Sequence, residues 1–213
     1  MDFQIDMRVT ELLASRLCHD LVGPIGAVNN GIELMTDVEF GPSDDALQLA
    51  GNSARQAASI LQFYRLAYGM AGGRITGDFS ELRELTAGFL ASSKITLDWT
   101  VRTQPEGAPE DLGKLLLNLV VLALEMLPRG GKLTVAALNG PAGLDASVTA
   151  SGQGAKVREE IQPALADDAA IEDLTPRNVH GYFTRQIAQR MGSDLIVDTP
   201  AEDSVRISVT LRV

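Results

Sequence analysis

The sequence predicts a helical hairpin followed by a two-layer α/β sandwich, and three observations carry that prediction. Between residues 6 and 36, Leu13, Leu17, Leu21, Ile25, Val28, Ile32 and Met35 follow one another at steps of four and three, the stripe of one long amphipathic helix. Leu47, Ala50, Ala54, Ala57, Leu61, Tyr64 and Tyr68 then keep strict heptad spacing, the seam of a second helix. Beyond residue 74, helical periods alternate with short runs of strand-forming residues, the pattern of helices and strands packed in two layers. The hairpin is assigned to residues 1–73 and the sandwich to residues 74–213.

The elements have local causes. Gly41 and Pro42 in EFGPSDD end the first helical pattern, and Ser43 is placed to cap the second. The second helix is expected to stop near Gly69, where GMAGG reads as a linker. Two helices cannot bury two such stripes between themselves. A second copy would complete a dimeric four-helix bundle, so a homodimer is expected; the alternative is that the hairpin packs on its own C-terminal domain. In the sandwich, a helix in SELRELTAGFLASS precedes the strand KITLDWTVR, and a helix is expected over roughly Glu110 to Leu127. The strands GKLTVAAL and DASVTAS follow, then an acidic loop, a helix from about Pro176 to Met191, and the strands LIVDT and VRISVTLRV around a turn at Ala201 to Asp203.

Charge narrows the partners. The net charge is −10, shared evenly: residues 1–73 hold 9 acids and 4 bases, and residues 74–213 hold 19 and 14. An acidic surface on both parts argues against nucleic acid or an anionic membrane as partner. The single cysteine cannot form an internal disulfide, and MDFQIDMR has no apolar signal core, so a cytoplasmic protein is expected. The longest apolar stretch, Leu115 to Leu127, is too short to span a bilayer and contains Asn118 and Glu125.

The chemistry centres on His19. At about 100° per residue, the imidazole falls about 180° from the apolar stripe and is expected to face solvent. Leu12, Ser15, Arg16, Gly23, Gly26 and Asn30 are expected on the same outer face. Each mid-helix glycine costs about 0.8–1 kcal/mol relative to alanine, and Pro24 cannot donate to the Asp20 carbonyl. Either these residues clear a docking surface beside His19, or His19 is an ordinary surface histidine and the glycines serve close helix packing. Metal binding fits poorly, since only His180 and Cys18 could assist. No GxSxG elbow appears for a Ser-His-Asp triad. Nucleophilic attack on phosphorus fits better, because a neutral imidazole is a nucleophile that needs no buried base to activate it.

The stretch RLCHDLVGPIGAVNNGIELM, with its His19-Asp20 pair, resembles the phosphoacceptor motif of sensor histidine kinases and is most similar to histidine phosphotransferases of the ChpT type, known in alphaproteobacterial phosphorelays. Residues 74–213 resemble a degenerate kinase ATP-binding domain. Asn118 matches the first asparagine of the kinase's Asn-rich helix, but Leu122 stands at the metal-associated asparagine and Glu125 at the usual lysine. VTASGQG resembles the adenine-binding segment, with Ala150 in place of the aspartate that reads the adenine amine. RNVHGYF replaces the glycine-rich lid, and Gly23 occupies the position at which many kinases carry a Thr or Asn for receiver dephosphorylation.

The resemblance implies a dimeric phosphotransferase. His19 would be the phosphoacceptor and Asp20 its support, with phosphate passing between receiver-domain aspartates of a hybrid histidine kinase and of response regulators. It implies no ATP and no cofactor of its own, Mg²⁺ residing on the partner receiver. An active ATP-dependent kinase and a non-catalytic adaptor for response regulators are the alternatives. His180 reads as a surface or loop histidine, Trp99 as a core residue, and Asp167, Asp168, Glu172 and Asp173 as a solvated loop.

Overall fold

The computed structural model describes residues 6–36, 43–69 and 79–212. The predicted break at Glu39–Pro42, the linker beyond Gly69 and the boundary between residues 73 and 74 lie outside the described residues.

Helix α1 (Met7–Thr36) runs through Pro24 without interruption. Helix α2 (Asp44–Ala67) begins as predicted, with Ser43 Oγ accepting from the Ala46 N–H at 3.1 Å. The two helices approach closely at Gly31, where a Cβ would lie 2.9 Å from both the Ala46 oxygen and the Ala50 Cβ. That glycine was not read from the sequence as a packing residue, yet it is what Ala50 of the seam closes upon.

The predicted stripes divide between two environments. Towards the end of α2, Phe63, Tyr64, Leu66 and Ala67 are buried against the C-terminal part of the chain, with Phe63 stacked on Phe89 at 4.1 Å. Val22, Ile25 and Ile32 of α1, with Leu47 and Leu61 of α2, are left exposed. The hairpin therefore packs on its own C-terminal domain through one part of its apolar surface and leaves a strip uncovered.

The sandwich follows in the order α3 (Ser80–Leu90), β1 (Ile95–Trp99), α4 (Leu112–Leu124), β2 (Gly131–Gly140), β3 (Gly143–Ser151), α5 (Gln162–Leu165), a 3₁₀ turn (Ile171–Asp173), α6 (Val179–Arg190), β4 (Leu195–Ala201) and β5 (Ser204–Leu211). Helix α6 starts later than Pro176 because Asn178 Oδ1 accepts from the Thr175 N–H at 2.8 Å, closing a turn ahead of the helix.

The sheet order is β1-β2-β3-β5-β4, with β1 parallel to β2 across the α4 crossover and the other pairs antiparallel. Leu133, Val135, Ala146, Val148, Ala150, Val205, Ile207 and Val209 alternate along the strands and are all buried. The opposite face is polar and carries the Lys132–Asp98 and Arg206–Asp145 ion pairs. Helix α4 is apolar nearly all round because it is covered by the sheet, α2 and α6 together. Trp99 packs at the core edge and donates from Nε1 to the Val101 carbonyl, as expected of a structural residue.

Polar ties fix the hairpin to the sandwich. Asn118 Nδ2 donates to the Ala67 carbonyl at 2.7 Å, and Lys114 Nζ to the Gly69 carbonyl at 3.1 Å. Arg8 donates to the Ile171, Glu172 and Leu174 carbonyls. Among the described residues, no helix is long and apolar enough to cross a membrane.

Candidate functional site

Helix α1 presents His19 with its side chain 88% exposed, beside Asp20 at 31%. The Asp20 Oδ1 lies 3.4 Å from His19 Nδ1, and the Tyr64 hydroxyl donates to Asp20 Oδ2 at 2.6 Å. The pair opens onto a cleft of about 760 Å³ between α1 and the C-terminal domain, whose far wall includes Glu125, Arg158, Thr175 and Arg177. The imidazole is thus accessible, with one ring nitrogen facing a carboxylate and Nε2 free of that interaction. Such a group can attack an electrophile brought in from solvent.

The other predicted docking residues divide. Ser15, Gly23 and Asn30 are exposed and Gly26 is partly so. A Cβ at Gly23 or Gly26 would meet nothing within 4 Å. Close packing within the chain therefore does not require either glycine, and the surface beside His19 is bare. Leu12 and Arg16 depart from the expectation of an outer face. Leu12 is half-buried against the core. The Arg16 guanidinium turns inward and pairs with Glu125, their side chains only 15% and 12% exposed. Burial pushes the Glu125 carboxyl up, against the pull of Arg16. The reason is that α1 is covered by the C-terminal domain on the flank carrying Arg16, a surface that the sequence stripe does not reveal.

His180 also departs from its reading as a surface or loop residue. It is fully buried, with Nε2 3.0 Å from the Asn118 carbonyl and Nδ1 3.2 Å from the Tyr68 hydroxyl. Burial, with the Arg16 charge, lowers its pKa to about 3, so the ring is neutral. A carbonyl can only accept, so Nε2 carries the proton and Nδ1 accepts from Tyr68. Asp167, expected in a solvated loop, is exposed but reaches Arg185 at 3.5 Å. Tyr64 and Tyr68, legible only as seam residues, stack at 4.7 Å beneath the His19-Asp20 pair. Burial, together with the charge of Asp20, raises the Tyr64 phenol well above its usual range and keeps it a donor.

Among the described residues, no group of three or more His, Cys, Asp or Glu could hold a metal ion. The segment expected to resemble a nucleotide site carries Leu122 and Ala150 at 0% exposure. The Asn118 amide there is already committed to the Ala67 and Lys114 carbonyls.

The family model for the histidine phosphotransferase C-terminal domain matches residues 79–203. The chain is also 32% identical, over 199 residues and 91% of each protein, to protein phosphotransferase ChpT of Brucella abortus (strain 2308). It belongs to the ChpT-type histidine phosphotransferases. A solved bacterial phosphotransferase superposes on it with a TM-score of 0.80 at 30% identity, covering 97% of this chain and 98% of that one. In this histidine phosphotransferase the helical hairpin bears the exposed imidazole, and the family-defining C-terminal domain buttresses the helix that carries it.

Proposed function

We propose that this phosphotransferase is the histidine carrier of a two-component phosphorelay. His19 Nε2 accepts a phosphoryl group from the aspartyl phosphate of one receiver domain and passes it to the aspartate of another. The observation that carries the reading is an exposed imidazole paired with Asp20 on a helix face bared by Gly23 and Gly26. A receiver domain must bring its aspartyl phosphate to within bonding distance in line with Nε2, which needs an unobstructed face. Mg²⁺ belongs to the receiver in this scheme, where it neutralises the phosphoryl oxygens, and the transferase contributes nucleophile and orientation.

ATP has no part in the proposed reaction. Ala150 offers no acceptor to an adenine amine, and Leu122 no oxygen to magnesium. The working unit is a homodimer, supported by the exposed strip of Val22, Ile25, Ile32, Leu47 and Leu61 on both helices of the hairpin. The proposed compartment is the cytoplasm, in keeping with the single free Cys18.

The test is His19→Ala. A hybrid-kinase receiver domain charged with acetyl phosphate should lose its phosphate to the wild type and not to the variant. The variant should melt within the range of a surface substitution, about 0.5 kcal/mol. Undiminished transfer to His19→Ala contradicts the assignment.

A further inference from the structure

Tyr64 occupies a heptad seam position and is 3% exposed, so its ring is accounted for by packing. Its hydroxyl is not. The hydroxyl reaches out of the core to Asp20 Oδ2 at 2.6 Å, while the other carboxylate oxygen faces His19 Nδ1 at 3.4 Å. We propose that Tyr64 is a positioning residue for transfer through His19: by holding Asp20 Oδ2 it aims Oδ1 at Nδ1, so that the imidazole keeps its proton there and offers the Nε2 lone pair. This rests on the reading of His19 as the phosphoryl carrier.

A partly exposed aspartate next to an exposed histidine samples several rotamers, and the bond between them forms only part of the time. Fixing one carboxylate oxygen from a rigid donor prepays that ordering when the protein folds. Tyr64 is such a donor. Its ring stacks on Tyr68 at 4.7 Å and meets Phe63 and Phe89 edge-on at 5.9 and 5.6 Å. Tyr68 is held in turn by His180, and His180 by the Asn118 carbonyl of α4. The support for the imidazole therefore begins in the C-terminal domain, which gives that domain a task requiring no nucleotide.

The step balances with Nδ1 protonated throughout. The Nε2 lone pair forms the N–P bond, and the P–O bond to the receiver breaks with its electron pair left on the receiver carboxylate. The ring becomes a phospho-imidazolium whose Nδ1–H faces the Asp20 carboxylate. Return to a second aspartate reverses each of these changes.

The experiment uses the whole protein labelled with ¹⁵N-histidine, with phosphoramidate as a phosphodonor that needs no receiver; its P–N bond breaks and ammonia leaves. In the wild type, the imidazole ¹⁵N shifts of His19 should report the Nδ1–H tautomer, and ³¹P spectra should place the phosphate on Nε2. Tyr64→Phe keeps the ring, should shift the tautomer towards Nε2–H, and should slow phosphorylation roughly tenfold, the lower end of what one hydrogen bond to a charged group contributes. Asp20→Ala, altered at the partly exposed end of the bond, should move the tautomer the same way. Adding Tyr64→Phe to Asp20→Ala should then slow the reaction no further, which a purely structural role would not produce. Wild-type tautomer and rate in Tyr64→Phe, or a full tenfold loss in the Asp20→Ala background, overturns the proposal. The two readings fail separately: absence of receiver-to-His19 transfer in the wild type overturns the carrier, and an unperturbed Tyr64→Phe overturns the positioning alone.

Discussion

Arg16 of α1 reaches Glu125 at the end of α4 and pairs with it in a largely buried setting, three residues before the exposed His19. The pair ties the helix carrying the imidazole to the C-terminal domain. Removing one member leaves the other buried and uncompensated, so Arg16→Ala should cost about 3–5 kcal/mol in urea unfolding. Replacing both, as Arg16→Met with Glu125→Leu, should recover most of the loss. A double variant as unstable as the single one would show that the ion pair is not what is lost.

His180 gives stability a pH dependence whose sign is fixed. Its folded pKa is about 3 against an ordinary 6.5, so between those values the unfolded chain binds a proton that the folded chain excludes. The stabilisation is complete above the unfolded value and is lost as pH falls towards the folded one, at up to about 1.4 kcal/mol per pH unit. Thermal melts of wild type and His180→Gln from about pH 7 to about pH 4 should converge as pH falls, the variant having the shallower slope. Parallel slopes would mean that His180 is not excluded from protonation.

Much of this arrangement could be read from the chain. The heptad seam located α2, Ser43 its start, and the change of period the sandwich. The rotation of α1 was only partly legible. Its stripe combines residues covered by the rest of the chain, such as Leu13, with Ile25 and Ile32, which the single chain leaves bare. A direction averaged over both surfaces swings towards Ile25 and Ile32, and Arg16 and Leu12 then appear to face outward. The Tyr64–Asp20 bond spans 44 residues and leaves no local trace. His180 stands next to Gly181 near a helix start, where nothing local marks it as internal, and its burial follows from the docking of α6 on α4.

The bare face beside His19 makes its own prediction. Gly26→Leu meets no atom within 4 Å of its Cβ and should gain about 0.8–1 kcal/mol of helix stability. It should nevertheless weaken binding of an unphosphorylated receiver domain, because the added side chain stands on the docking surface. A titration with unchanged affinity would place the receiver elsewhere.

Titration with Mg-ATP should give no isotherm up to about low-millimolar ligand. An adenine amine facing buried Ala150 loses a partner worth about 1–3 kcal/mol, a factor of roughly 5 to 150 in affinity. Leu122 removes an oxygen from the metal's neighbourhood and RNVHGYF lacks the bare amides that cradle phosphates, so the deficits compound. A saturable isotherm would restore the nucleotide to the scheme.

The most direct test of the account is the position of the phosphate itself. A hybrid-kinase receiver charged with labelled phosphate is mixed with the protein, and the product is mapped by mass spectrometry under alkaline conditions before and after a second, uncharged receiver is added. An acid-labile phosphate should appear on His19 and disappear as the second receiver becomes labelled. Phosphate on another residue, or label on the second receiver without passage through His19, would contradict the assignment.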